Sequence, residues 1–475
     1  MKANLKLVLG LFLLSDVVIG FGAYQINQNA KDVEADVNAK VLEINKSLPG
    51  LLVGDNVYKK GYFDSTGEYT FKLKDAATSN SKIIFKYKLS HGVSTLFSKN
   101  VGLNSTVEFA GDIAKIIKPV EDKLFVITGS INKEGLSDYS IKSGGLIISD
   151  EKNPTAKVEV SSSSGVLKYN KETKDYESNY KIDTVKVSTP VKEMSVDISG
   201  VGYDIKGNNN LGSGSFFVQD AKSIRGSLSG LKISYDANMS NNKYNYSTGI
   251  SIASIDAGMG QKGSLNLAYS LKGLQKEQVD YFIKKYQDLK SKSGQELTPA
   301  DLNMGQKDKE EFLKLISNGL SIGLDNIEIK SNSGNIKLST KAEVSPVKSV
   351  DKISFEDNTK ISFNVVASGQ MIDSFIAMPS TALGQDIKKY NDGSYKVSAE
   401  YKNSVFTVDG LVNNKVGITI RQSLRNLDLA LGIDNHLPPL SPEVPVESTL
   451  SVPSDEASMA NMAAEQAAFE GANIK

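Results

Sequence analysis

The chain has no cysteine, no tryptophan and only two histidines among its 475 residues. Each absence removes a class of chemistry. Without thiols there is no disulfide framework, no thiolate nucleophile and no sulfur-ligated metal. His91 and His436 lie far apart with no paired ligand spacing, so neither a metal nor any other cofactor is expected. Lack of tryptophan takes away the aromatic platform expected of a glycosidase. No charge sign predominates: 55 Lys and Arg balance 55 Asp and Glu, which argues against a nucleic-acid partner. Proline is scarce at 12, whereas glycine numbers 39, with serine and asparagine also common. That mixture suits short strands joined by tight turns.

Long apolar runs are also absent, with one exception. Lys2 and Lys6 precede a run from Leu7 to Tyr24. Its length, about 18 residues, is at the lower limit for a helix spanning the hydrocarbon core. Asp16 within it disfavours insertion by roughly 2.5–3.5 kcal/mol, which the surrounding Leu, Val, Ile and Phe outweigh. A cut after Ala23 would place Phe21 where signal cleavage wants a small residue. The run therefore reads first as an uncleaved anchor (1–24), with a cleaved signal peptide as the alternative, and it leaves the two lysines in the cytoplasm and the bulk outside. Gln25 to Leu48 follows as a stalk or docking helix, with Ala30, Val33, Val37, Val41 and Ile44 at helical steps.

Next comes Tyr58-Lys59-Lys60-Gly61-Tyr62-Phe63-Asp64-Ser65, then two strands, the second running into His91-Gly92. An anchor, a short helix, this turn and strands ending in His-Gly resemble the bacterial YdgA-like envelope family. A helix ending in glycine before a hairpin, near residues 312–343, resembles it again. The resemblance implies an inner-membrane-anchored periplasmic protein of undefined molecular role. It marks Tyr58, Gly61, Phe63, Ser65, His91 and Gly92 as signature positions and assigns them no chemistry. Val93 departs from the pattern, because the family often has proline there.

From Asn104 to Tyr269 the chain reads as strand after strand. In Leu231–Met239, Leu231, Ile233, Tyr235, Ala237 and Met239 share one face, and Lys232, Ser234, Asp236 and Asn238 share the other. Turn residues recur about every ten positions, the mark of antiparallel meanders. A helical insert is expected over 272–319, covering one face of a sheet. Strands resume over 320–433, ending with Val405–Leu411 and Val416–Ile420. Pro438, Pro439, Pro442, Pro445 and Pro453 mark a disordered tail over 434–475. The expected fold is mainly β with a few helices: extended antiparallel meander sheets (49–271 and 320–433) behind an N-terminal transmembrane helix.

No catalytic constellation stands out. Gly258-Met259-Gly260-Gln261-Lys262-Gly263 matches a dinucleotide fingerprint by its letters, but it runs into a strand where the fingerprint needs a helix. Glu310 and Glu311 are adjacent on a helix and face apart. Two readings remain. The first is a periplasmic binding or structural protein, holding lipid or another envelope component in a groove of the sheets. The second is a carboxylate-dependent periplasmic hydrolase, whose two acids would sit about 5–10 Å apart.

Overall fold

The computed structural model describes residues 52–433, except 60–63, 74–79, 91–100, 122–123, 132–135, 151–152, 209–210, 259, 294–304, 349–352, 376–379, 382 and 384–385. The apolar run, the helix expected over 25–48 and the segment from 434 lie outside the described residues. Among the described residues, no helix is long and apolar enough to cross a membrane.

The described chain is mainly β, and every strand pair is antiparallel. The first strands are β1 (Leu52–Lys59), β2 (Asp64–Leu73), β3 (Lys82–Ser90) and β4 (Val101–Ala110). A short helix α1 (Asp112–Ile116) leads to β5 (Ile117–Pro119). Then come β6 (Phe125–Ile131), β7 (Leu136–Ser143), β8 (Leu146–Asp150), β9 (Asn153–Val160) and β10 (Ser163–Asn170). The long strands follow: β11 (Asp175–Ser188), β12 (Val196–Asn208), β13 (Leu211–Ser223), β14 (Gly226–Ser240), β15 (Lys243–Asp256) and β16 (Lys262–Gln275). Two helices, α2 (Lys276–Ser293) and α3 (Gln306–Ser317), separate these from β17 (Leu320–Ser331) and β18 (Gly334–Val344). The chain ends with α4 (Phe355–Asn358), β19 (Thr359–Ser368), α5 (Gln370–Phe375), β20 (Ser394–Lys402), β21 (Val405–Val408), β22 (Leu411–Val412) and α6 (Asn414–Leu431).

The sheet forks at β11. Residues before Thr184 pair with β10, which continues through β7, β6, β4, β3 and β2 to β1. Val185–Ser188 pair instead with β9, which continues through β8 to β5. The fork is made by two bends. Gly144 and Gly145 separate β7 from β8, and Gly145 has φ 101°, where a side chain would be strained. Ser161 and Ser162 separate β9 from β10, and the Thr184 N–H donates to Ser161 Oγ at 2.8 Å. The short arm folds over the long one. Tyr69, Phe85, Leu103, Ile127, Tyr139 and Ile141 of the long arm meet Ile113, Ile117, Leu146 and Ile148 in the main core.

From β12 to β22 each strand pairs with its chain neighbours. The far end has its own cover. Val416, Ile420 and Leu424 of α6 pack on Val397, Tyr401, Phe406 and Val408. Val416–Ile420 is thus helix rather than the expected strand. The Asn413 side chain accepts from Val416 N, and Gly432 closes the helix with φ 77°. The β-branched run Val-Gly-Ile-Thr-Ile masked a spacing of four residues that places Val416, Ile420 and Leu424 on one side. Strands β1, β7 and β10 fall within the region expected to be β (49–271) but carry weak local strand signals. Two of them, LSDYSIKS and SSGVLKYN, are polar enough to read as loops.

Candidate functional site

In an antiparallel ladder, directly opposed residues project from the same face. The registers therefore trace rows of side chains across the sheet. One row runs Tyr203, Phe216, Ile233, Ile250, Leu267 and Ile327, strand by strand from β12 to β17. It continues through Leu338 to Val365 and Val397. The next row holds Ile205, Gly214, Tyr235, Thr248, Tyr269 and Leu324, then Thr340. A third holds Gly207, Gly212, Ala237, Tyr246, Leu271 and Ile322, then Ala342. On the other side of the first lie Val201, Val218 and Leu231 of β12–β14 and Ile252, Leu265, Ile329 and Ile336 of β15–β18. Four rows across seven strands carry no Asp, Glu, Lys or Arg.

The reverse face of the same strands is polar. A row there reads Lys232, Ser251, Asn266, Glu328 and Lys337. The sheet is thus sided, as alternation in β14 anticipated. What the sequence did not reveal is that, among the described residues, nothing packs over the apolar side along this stretch. Phe216, Ile233, Tyr235, Ile322 and Ile329 are each 40–43% exposed. Contiguous apolar surface of this kind marks a place where something binds.

Packed elements wall the bare stretch. At β11 the apolar face passes into the main core, where Tyr180 and Ile182 are buried. At β19–β21 it is buried under α6. Along one margin α3 covers Leu320 and Val344 with Leu313 and Ile316. Beside it, Asp280 of α2 accepts from the Tyr244 hydroxyl at 3.4 Å. Along the other margin, Ile372 of α5 packs on Ala367 and Tyr395.

The floor is uneven at its β11 end. Gly207, Gly212 and Gly214 leave a trough over which Tyr176 and Tyr235 lean. A Cβ on Gly207 would meet the Tyr176 hydroxyl at 2.9 Å, and one on Gly214 the Tyr235 ring at 2.7 Å. Tyr169, Tyr176 and Leu211, together with the charged Asp138, Lys168, Asp175, Glu177, Lys206 and Asp236, wall a hollow of about 1030 Å³ at that edge. Desolvation, with Tyr176 alongside, raises the Tyr235 pKa. Desolvation likewise raises that of Tyr246, next to Tyr244 and Asp280. Both hydroxyls stay neutral at pH 7, so the floor is uncharged.

Two of the six signature positions are described, and both fall elsewhere. Gly61, Phe63, His91 and Gly92 lie outside the described residues. Tyr58 is in β1 opposite Gly67, with its side chain outside them. Ser65 is buried in β2 opposite Leu89, on the covered part of the apolar face. Neither Tyr58 nor Ser65 joins the bare stretch. Among the described residues, no group of three or more His, Asp or Glu is placed to hold a metal ion. The glycine-rich fingerprint lies in the β15–β16 turn, where Gln261 N–H donates to Gly258 O at 3.0 Å and a strand follows.

The model of a bacterial protein family of unknown function (DUF945) matches residues 8–411. No curated protein matches the chain.

Proposed function

The chain belongs to the bacterial DUF945 family, and from that premise we propose that it is an envelope protein that binds lipid on the bare face of β12–β18. The finer identification, a YdgA-like protein held in the inner membrane by Leu7–Tyr24 with its bulk in the periplasm, is part of this proposal. The observation that carries it is the uncharged, uncovered face, four rows deep and seven strands wide. Covering two-fifths of a large apolar side chain returns roughly 1 kcal/mol, so a ligand that covers many of them is held without any single strong contact. An anchor of about 18 residues keeps the site close to a membrane, the source of such ligands. A carboxylate hydrolase draws no support from this face, which carries no acid.

The test compares neighbours that face opposite ways. Benzoylphenylalanine is placed at Ile233 or at Lys232 in the full chain, in cells, and illuminated. Lipid adducts are expected at 233 and not at 232. Equal labelling at both, or none at 233, overturns the proposal.

A further inference from the structure

The spacing of the rows says how a ligand lies and how many fit, given the lipid reading above. Along a strand, same-face residues repeat every two positions, about 6.8 Å; across strands they repeat every 4.8 Å or so. Channels that run along the strands are therefore too narrow for an alkyl chain among branched side chains. Channels between rows are wider and run across the strands, along the length of the sheet. Four rows enclose three of them. Seven strands span six intervals, about 29 Å. The hydrocarbon core of a bilayer, about 30 Å, is two acyl chains end to end, so each channel is about two chains long.

The geometry points to a track for lipid acyl chains, laid across the strands, that holds more than one two-chain lipid at once. Two further observations favour this occupant. The floor has no charged side chain, so it complements hydrocarbon and offers nothing to a headgroup. A helix is about 10 Å across, so α3 and α5, which stand at the margins of β16–β19, block a second flat sheet from settling on that end of the floor. Alkyl chains follow an uncharged floor past helices at its margins; a flat second copy does not seat along its full length.

The track is tested with benzoylphenylalanine at Phe216, at Leu338, or at both, in the full chain reconstituted with vesicles of phosphatidylethanolamine and phosphatidylglycerol. Positions 216 and 338 are five strands apart. Each single variant should take up lipid, with the two headgroups labelled in the ratio of the vesicle. In the double variant, chains carrying two lipid masses should appear at about the product of the single yields. Labelling at one position only, or a doubly labelled fraction more than tenfold below that product, overturns the track while leaving lipid binding intact. A headgroup ratio skewed tenfold from the vesicle removes the uncharged-floor argument. No adduct at either position overturns both readings.

Discussion

Gly67, Gly129 and Gly165 each oppose a tyrosine across a strand pair: Tyr87, Tyr139 and Tyr180. The ring lies over the glycine, shielding its backbone, a device that pins register. The space is full. A Cβ on Gly67 would sit 2.1 Å from the Tyr87 ring. Gly67→Ala should therefore cost about 1–3 kcal/mol through overpacking, read as a lowered urea midpoint. Adding Tyr87→Val should recover part of the loss; strictly additive costs would show that the ring is not what glycine accommodates. Burial pushes the Tyr180 hydroxyl up to about 12, although Ser163 hydrogen-bonds it. The motif was invisible in the sequence, because partners such as Gly67 and Tyr87 are distant along the chain and meet only through register.

At the scale of elements, α3 shows how one acid ties two helices. Asp308 caps the helix start, accepting from Gly305 N at 2.7 Å, and also accepts from the Tyr281 hydroxyl at 2.9 Å and from Lys285 of α2. Lys285 foremost, then Tyr281 and the Gly305 N–H, hold its pKa below the ordinary value against desolvation. A lowered carboxyl stabilises the fold above its unfolded pKa and loses that contribution as pH falls through the folded one. Asp308→Asn should thus lower the melting temperature at neutral pH, and the gap from the parent should close as pH falls below about 4. A gap independent of pH would assign the effect to packing. The helical insert was legible, although Lys272–Gln275 at its expected start are the end of β16, and so was the alternation within β14. The strand at Val416–Ile420 was misread because local β propensity and helical spacing conflict there, and the packing on Val397 and Tyr401 decides. The bare face was half legible: sequence gives each strand its sides, but not which strands a helix or flap will cover.

For the whole molecule, the contrast is between one continuous apolar face and its uneven cover. Ile127 is 1% exposed in the main core, whereas Ile250 lies partly exposed on the floor. Ile127→Asp should cost more than about 4 kcal/mol or prevent folding. Ile250→Asp should cost about 1 kcal/mol and yet abolish lipid adducts nearby. Similar losses of stability for the two, measured by chemical denaturation, would mean that the floor is a buried core. Because among the described residues the strands β12–β22 pair only with their chain neighbours, the molecule is extensible like a folding rule. Inserting one hairpin would lengthen the trough by two strand intervals, about 10 Å, and leave every other register and both end caps unchanged. Reach is therefore a quantity that gene duplication can adjust in discrete steps, without redesigning a core.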